Sequence, residues 1–453
     1  MYSIVLKDVQ ETSLGETLAK SQQLIDRRVG IIHNIQEYMV SSNDPALFYF
    51  AGARANYNCF HPSTRKILPA IKNAGGASLI RERAQAAVIG EAVERYCSGI
   101  YDEDNFIYAT FDEIKKDALD PRRFVLYSQE QYSKKDFIFA KFSEKTKMNW
   151  VWGYSLTYNR PLLVPAGFVY VPYVFASKSA IIEQPVSTGL ACANNKEEAI
   201  LRGIYEVVER DAFMIMWHNM LSMPGIDLEN IKNETARKII ERYPPGVKLY
   251  VHNITNDLEI PTMFGIVFQE FGDGPAAAVG AATRLNPEDA LIKCLEETAH
   301  TRFYARYLLK ERPNYKIRDD FSDITDFSDH PFLYGHREML PAVDFLRNCP
   351  YMMEIDKIPN RSSGTIVGDI QVCLEILSKK GFEVIVVDIT TPDIRQVGFV
   401  VTKVLIPGLQ PLDVELKSRH LGGERLYEVP KILGYKDRKA TLQELNKYPH
   451  PFP

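Results

Sequence analysis

One pattern of carboxylates occurs three times along this chain of 453 residues. An alanine is followed seven positions later by a glutamate, and a second acid or a histidine follows three positions after that. Residues seven apart lie about two turns apart on one helix face, so each glutamate is predicted to point into a packed environment beside a small residue. The three copies are Ala84 with Glu91 and Glu94, Ala199 with Glu206 and Glu209, and Ala290 with Glu297 and His300.

The glutamates of the first two copies, Glu91, Glu94, Glu206 and Glu209, are candidate metal ligands. Carboxylates on a packed helix face are costly unless a cation meets them. Magnesium prefers oxygen ligands and often bridges a few carboxylates to substrate phosphates. The alternative is that these acids lie on exposed helices and form only weak ion pairs with nearby arginines.

Each of the three segments also follows a run of small residues and carries an arginine. The small-residue runs cover 75–78, 187–191 and 280–283. Glycine lets the backbone approach a ligand closely, and helix N-termini favour anions. The arginines Arg95, Arg210 and Arg302 are expected to pair with phosphate or with the acids themselves. Together these features predict a magnesium–nucleotide site without a phosphate-binding P-loop.

Composition and known motifs exclude several other classes of protein. The net charge is −4, so no strong basic field holds nucleic acid or an anionic membrane. No apolar run approaches the length that spans a bilayer, and the N-terminus does not resemble a secretion signal, so a cytoplasmic location is expected. The six cysteines are scattered, which favours isolated thiols over disulfides or zinc. Signatures of P-loop, Rossmann, zinc-protease and serine-hydrolase sites do not occur.

The last residues of the chain, 448–453, read Tyr-Pro-His-Pro-Phe-Pro. Alternating prolines prevent a helix and disfavour central sheet pairing, so this segment is predicted to be extended. It is either a frayed terminus or a stiff segment inserted into a site. In the second case the carboxylate of Pro453, His450 and Phe452 would provide its polar and apolar contacts.

The elements around these residues predict an α/β fold, with α+β as the alternative. Helical periodicity covers the three acid-bearing segments, and Pro287 after Asn286 predicts where the third helix begins. Strands are predicted at 162–172, 247–251, 262–268, 383–388 and 399–404. We expect an N-terminal segment, 1–60, that packs on a single large domain, 61–440, and a proline-rich tail, 441–453. Residues 310–360 are polar and are predicted to form an excursion that offers a partner surface.

Several of these segments resemble the YcaO family, and within it the D proteins that make azoline rings in ribosomal peptides. The resemblance covers roughly residues 60–453. It is carried by GEAVERY at 90–96, by STGLACANNKEEAILRGIYEVVERDAF at 187–213, by VGAATRLNPEDALIKCLEETAHTR at 279–302, by TTPDIRQVGFVVTKVLIPGLQPLD at 390–413 and by the terminal PHPFP. Each run is only moderately specific, but their order together with the tail is strongly indicative.

This resemblance implies a large YcaO-type domain of mixed sheets and helices that binds ATP and magnesium. Glu91, Glu94, Glu206 and Glu209 match metal-binding positions. Asn194 and Glu198 match positions that line the nucleotide, and Arg210 and Arg302 match arginines near phosphate. The implied reaction lets a Cys, Ser or Thr side chain attack the preceding carbonyl, phosphorylates the amide oxygen and releases phosphate to give a thiazoline or oxazoline. Candidate bases are His300, His450 and the carboxylate of Pro453.

Three departures from the family pattern accompany this resemblance. Ala87 stands where many members have serine, and residues 76–78 lack the usual lysine, so no lysine role is transferred. His300 stands where the third motif usually carries glutamine.

The resemblance also implies partners and leaves two other functions open. A precursor peptide is the expected substrate, presented by a second protein that binds its leader. A homodimer within a complex is expected, and a flavin dehydrogenase is a candidate downstream partner. Neither nucleic acid nor a membrane is expected as a partner. The alternatives are a YcaO enzyme that forms thioamides or amidines with an external nucleophile, and a non-catalytic accessory subunit.

Overall fold

The three acid-bearing segments are long helices that pack against three separate sheets. The structure, a computed structural model, describes residues 4–55 and 73–453. The helices are α1 (Leu14–Ser21), α2 (Arg81–Ser98), α3 (Phe111–Ile114), α4 (Gln129–Tyr132), α5 (Lys196–Asn219), α6 (Glu234–Ile240), α7 (Pro287–Glu311), α8 (Asp329–Tyr334), α9 (Leu340–Val343), α10 (Ile366–Lys379), α11 (Pro392–Val397) and α12 (Arg425–Ile432). The acid-bearing helices are α2, α5 and α7.

The strands form a three-stranded, a five-stranded and a six-stranded sheet. They are β1 (Ile32–Tyr38), β2 (Phe48–Arg54), β3 (Asn73–Ser78), β4 (Ile107–Ala109), β5 (Met148–Ser155), β6 (Arg160–Pro165), β7 (Leu190–Ala193), β8 (Gly225–Ile226), β9 (Lys248–Asn253), β10 (Thr262–Phe268), β11 (Ala277–Thr283), β12 (Met352–Met353), β13 (Ile385–Asp388) and β14 (Val400–Leu405). The sheet orders are β1-β2-β3, β11-β10-β9-β8-β12 and β4-β5-β13-β14-β7, with β6 paired to β5. Most pairs are antiparallel, so the mixed α/β architecture is confirmed.

Local sequence explains where the two longest helices begin. Asn195 precedes α5 and its side chain accepts a hydrogen bond from the backbone N–H of Glu198. Asn286 caps α7 in the same way, and Pro287 occupies the first helical position as predicted. These caps fix where α5 and α7 begin, and the motif acids Glu206, Glu209 and Glu297 lie about three to four turns farther along.

Glycines allow each motif helix to lie close to the strand before it. A Cβ atom on Gly280 of β11 would come within 2.3 Å of the Thr298 backbone nitrogen in α7. A Cβ atom on Gly76 of β3 would come within 2.5 Å of the Ala84 carbonyl oxygen in α2. The small-residue runs therefore act first as close-packing surfaces, which bring the acid-bearing helices against their sheets.

Most predicted strands match the observed ones closely. Strands β9, β10, β13 and β14 agree with the predictions within a few residues. The strand predicted at 162–172 corresponds to β6, which already ends at Pro165. In the N-terminal segment, β2 pairs with β3, so this segment shares a sheet with the strand before α2. Cys59 and the domain boundary predicted at residue 60 lie outside the described residues.

The region 310–360 is less of a surface excursion than predicted. Phe332, Leu333 and Tyr334 of α8 are buried, as are Val343 and Leu346 farther along. This region covers one side of the five-stranded sheet through a core cluster that also contains Trp217 of α5. Its exposed part includes Tyr351 and the edge strand β12. In the described residues, no helix is both long and apolar enough to cross a membrane.

Candidate functional site

Backbone amides anchor three of the motif acids. The N–H of Gly75 donates to Glu91 Oε2 at 2.8 Å, and the N–H of Gly189 donates to Glu206 Oε2 at 3.2 Å. The N–H of Thr283, at the end of β11, donates to Glu209 Oε2 at 3.0 Å. Each small-residue run thus donates one backbone N–H to a motif acid. Thr283 belongs to the run of the third repeat, but its acceptor, Glu209, belongs to the second repeat. This arrangement orients the carboxylates before any ligand arrives.

The third repeat closes the group through His300 on α7. A Cβ atom on Gly75 would lie only 2.6 Å from His300 Nε2, so the imidazole packs directly on the residue that binds Glu91. On its other side, His300 Nδ1 lies 4.0 Å from Glu297 Oε2. The structure therefore brings α2, α5 and α7 together at their motif residues.

The electrostatics confirm that these acids influence one another. Loss of surrounding water raises the pKa of Glu94 to about 8, opposed by Arg95, while the charges of Glu206 and Glu91 raise it further. Burial likewise raises the pKa of Glu209 to about 7, with Arg210 opposing and Glu206 adding to the shift. Crowded carboxylates of this kind are stabilised by a cation.

Glu297 behaves differently from the other motif acids. Burial alone would raise its pKa, but Lys293 and His300 together lower the pKa to about 2. Glu297 also forms an ion pair with Lys293 one helical turn earlier. It is therefore ionised and already has a cationic partner, which distinguishes it from the acids of α2 and α5.

Protein cations also lie within this group. Arg210 Nη2 is 3.4 Å from Glu206 Oε1, and Arg210 Nη1 is 3.2 Å from Glu209 Oε1. Lys403 of β14 is buried and its Nζ donates to the Val186 carbonyl oxygen at 2.7 Å. Burial lowers the pKa of Lys403 to about 8, against the opposing charge of Glu206. Sequence reasoning missed Lys403; its signal was a single charged residue within the strand Val400–Leu405.

The donor set fits magnesium in its chemistry. All four predicted ligands offer carboxylate oxygens, which hard divalent cations prefer, and two of them are held in a crowded state that a cation relieves. Among the described residues, no three His, Cys, Asp or Glu side chains are already arranged as a ligand set. The assignment of Glu91, Glu94, Glu206 and Glu209 as the ligands of the ion therefore stays a prediction.

Asn194 and Glu198 lie together where β7 passes into α5. The Asn194 side-chain amide donates to Thr17 Oγ1 of α1 at 3.1 Å. Glu198 is buried and pairs with Arg202, and its Oε2 atom lies in the protein without a hydrogen-bond partner. Cys192, two residues before Asn194, is buried, and burial holds the pKa of its thiol well above the usual range.

Arg302 does not lie among the acids. Its side chain is fully buried, with Nε 3.4 Å from Asp44 Oδ1 and Nη2 donating to the Asn43 carbonyl oxygen at 2.9 Å. It also bonds Gln269 and the Pro275 carbonyl oxygen. The expectation that Arg302 faces phosphate is therefore corrected, because its donors are committed to the loop before β2 and to the β10–β11 connection.

The proline-rich tail is inserted rather than frayed. Tyr334 Oη donates to the Pro449 carbonyl oxygen at 2.6 Å, and Trp217 Nε1 donates to the Tyr448 carbonyl oxygen at 3.3 Å. The ring of Phe452 is buried and lies 4.1 Å from the guanidinium carbon of Arg210. Pro453 is half-buried. The tail thus reaches the arginine that contacts Glu206 and Glu209.

His450 has a structural role in this tail. Its Nε2 is 2.6 Å from the Asp413 carbonyl oxygen, and its Nδ1 accepts a hydrogen bond from the Phe452 N–H at 3.2 Å. Its ring also stacks on His330 with centroids 4.1 Å apart. Burial holds the pKa of His450 well below its usual range. Because both ring nitrogens are engaged, the expectation of a base at His450 is corrected, and His300 and the Pro453 carboxylate remain candidates.

Glu94→Gln is expected to change how the stability of the folded protein depends on pH, because the pKa of Glu94 is raised by burial and by the neighbouring acids. The folded-state pKa of Glu94 is above its unfolded value, so its contribution to stability is complete below about pH 4.5 and is lost as pH rises toward 8. Glutamine does not titrate. In metal-free protein, the melting temperature of the variant minus that of wild type should therefore increase from pH 5 to pH 8. A difference that stays constant in scanning calorimetry contradicts the shifted pKa.

Comparison with known proteins places these features in a family context. A sequence model of the family described as YcaO cyclodehydratase, ATP- and Mg²⁺-binding, matches residues 75–410, well over half of the chain. An uncharacterized protein of Methanothermobacter thermautotrophicus is 26% identical over 343 residues, covering 75% of this chain and 82% of that protein.

Two solved structures are similar over the whole chain. One is a heterocyclase in complex with substrate and cofactor, with 26% identity and a TM-score of 0.82. The other is the heterocyclase TruD, with 25% identity and a TM-score of 0.69. Both matches cover 100% of this chain, but they cover only 59% of the first protein and 56% of the second.

Proposed function

This chain belongs to the YcaO family, whose members bind ATP and Mg²⁺, and from this premise we propose that it is an ATP-dependent peptide cyclodehydratase. It would convert Cys, Ser or Thr residues of a ribosomal precursor peptide into thiazolines or oxazolines. The observation that carries this proposal is the grouping of Glu91, Glu94, Glu206 and Glu209, in which the last two contact Arg210 and the tail packs on that arginine.

The residues of the site are suited to phosphorylate an amide oxygen. An amide oxygen is a poor leaving group, and transfer of a phosphoryl group makes it a good one. Magnesium held by the four acids would neutralise the phosphates, a task of positioning and electrostatics. Arg210 Nε is buried without a hydrogen-bond partner, which leaves a donor for a phosphate oxygen.

Two groups are candidates for taking the proton of the attacking thiol or hydroxyl. His300 keeps part of its side chain exposed beside Gly75, so its imidazole is accessible to a substrate. The carboxylate of Pro453 follows Phe452, which contacts Arg210. We propose that one of these two groups acts as the base.

The proposed substrate implies a partner. The two heterocyclases similar to this chain are longer by a large part that it does not match, so their complete activities are not transferred. We propose that a second protein binds the leader of the precursor peptide and presents it, as expected from the sequence. A flavin dehydrogenase acting on the rings and a homodimer within the complex are further proposals.

The proposal is tested with purified protein, a leader-binding partner and a precursor rich in Cys, Ser and Thr. Cyclodehydration predicts that mass spectrometry detects the loss of one water per ring, together with ADP and phosphate. Replacement of oxygen by sulfur when sulfide is added would instead establish the thioamide activity. ATP binding without any change in peptide mass would favour the accessory subunit.

A further inference from the structure

Two backbone carbonyl oxygens face the two ring nitrogens of His330 on α8. His330 Nδ1 lies 2.6 Å from the carbonyl oxygen of His450 in the tail, and His330 Nε2 lies 2.9 Å from the Val414 carbonyl oxygen. A carbonyl oxygen only accepts hydrogen bonds, and a neutral imidazole has a single N–H. Both contacts are therefore hydrogen bonds only when His330 carries two protons and a positive charge.

The ring of His450, which stacks on His330, has the opposite requirement. Its Nδ1 accepts a hydrogen bond from the Phe452 N–H, so a proton on this nitrogen would break that contact. Its Nε2 donates to the Asp413 carbonyl oxygen, which uses its one N–H. The tail therefore keeps all of these bonds when His450 is neutral and His330 is charged.

The charged groups around the two stacked rings are bonded to other partners. His218 Nε2 of α5 lies 2.8 Å from the Asp413 carboxylate, and His420 Nδ1 lies 3.0 Å from it. Burial opposes a charge on His420, but Glu183 and Asp413 raise its pKa to about 10, so its charge is constant near neutral pH. The remaining groups are Asp329, bonded to Arg312, Glu415, bonded to Lys417, and Arg419, bonded to the Asn446 carbonyl oxygen.

His330 can exchange a proton with solvent, because a cavity of about 210 Å³ lies beside its ring. Trp217, Tyr448 and both stacked histidines line this cavity. Burial lowers the pKa of His330 below its usual value, and the carbonyl oxygens of His450 and Val414 partly offset this. Release of the tail would remove the His450 oxygen and lower the pKa further. The tail is therefore held most tightly at low pH, and the hold weakens as pH rises through the pKa of His330 with the tail in place.

We propose that His330 is a positioning residue that holds the tail through its second proton, so that loss of this proton to solvent loosens the packing of Phe452 on Arg210. The bond that is lost joins His330 to the His450 carbonyl oxygen, two residues before the ring that contacts Arg210. The consequence for ring formation rests on the cyclodehydratase function proposed above.

The test follows the tail by fluorine NMR in the full chain, with 4-fluorophenylalanine in place of Phe452 and without ATP or peptide. Tyr334→Phe removes the hydroxyl that bonds the Pro449 carbonyl oxygen and adds no titrating group, so it brings the released tail into the measurable range. In this variant the ratio of buried to released ring is expected to fall by about tenfold from pH 5 to pH 8, as one hydrogen bond to a charged group is lost.

Two further variants and a second measurement identify the titrating group. Adding His330→Asn to Tyr334→Phe should abolish the dependence on pH, because asparagine bonds a carbonyl oxygen without titrating. His33→Asn is the matched control, because His33 lies on β1 in the three-stranded sheet, and it should keep the dependence on pH. Nitrogen-15 NMR of histidine-labelled protein needs no change at His330, and it should show one buried ring that gains its second proton over the same pH range.

The outcomes separate the role of His330 from the function proposed above. A ratio that stays constant from pH 5 to pH 8, or a dependence on pH that survives His330→Asn, would overturn the proposal. The fluorine measurement contains neither ATP nor peptide, so it does not depend on catalysis. Protein that shows the response of the tail but forms no rings with its partner would contradict only the cyclodehydratase function.

Discussion

Replacing Glu209 by Gln is expected to lower ATP turnover by at least about 100-fold, because the site loses a carboxylate that would hold magnesium. Glu209 lies at the centre of the group: it accepts from the Thr283 N–H, faces Arg210 and is influenced by Glu206. Glutamine keeps the size of the side chain but removes the charge. Glu91→Gln, on α2, is expected to act similarly.

The measurement is phosphate release together with binding of Mn²⁺ followed by electron paramagnetic resonance. Glu82→Gln is the matched control, because Glu82 is an exposed acid in the first turn of α2 and should leave both values unchanged. Melting temperatures should show that the variants fold. If Glu209→Gln retained wild-type turnover and Mn²⁺ affinity, the assignment of the four acids would be wrong.

Deleting residues 451–453 is expected to reduce heterocycle formation by about 10- to 100-fold. The deletion removes the Phe452 ring from Arg210 and the N–H that bonds His450 Nδ1. A cation–π contact in a desolvated place contributes about 2 kcal/mol, which alone corresponds to more than tenfold. Arg210 would then contact Glu206 and Glu209 without the ring that limits its movement.

Two further variants separate the role of the ring from that of the fold. Phe452→Leu keeps apolar volume against Phe213 but removes the aromatic face, whereas Phe452→Tyr keeps both. We expect the leucine variant to lose activity and the tyrosine variant to retain most of it. Lys447→Ala, at an exposed position of the same segment, should have no effect. Unchanged heterocycle yield after the deletion would contradict an active tail.

The three helices were predictable because periodicity and caps are local properties of the sequence. The alanines Ala84, Ala199 and Ala290 are buried as the spacing predicted, but the glutamates seven positions later keep side-chain exposures of 36%, 25% and 34%, so they are less packed than expected. The amides that orient the acids were less predictable. Thr283 serves an acid of another repeat, and this depends on how α5 lies against β11.

Residues whose roles depend on distant contacts were the ones that sequence reasoning misplaced. Arg302 follows the motif spacing, but Asp44, far away in the chain, binds its guanidinium. Histidine is a common general base, but both ring nitrogens of His450 are hydrogen-bonded, one to the Asp413 carbonyl oxygen and one to the Phe452 N–H. Lys403 carried no motif, and only the arrangement of β14 beside α5 places its charge near Glu206.

The pairing of α7 with the N-terminal loop also affects the order of folding. Arg302 bonds Asn43, a residue 259 positions earlier, and Arg306 Nε lies 2.7 Å from Asp44 Oδ2. During synthesis, the loop between β1 and β2 leaves the ribosome before α7 does. The carboxylate of Asp44, which is buried in the folded protein, therefore has no arginine partner from α7 until that helix emerges. Contacts of such long range slow folding, so we expect the N-terminal half to complete its packing only after α7 has been synthesised.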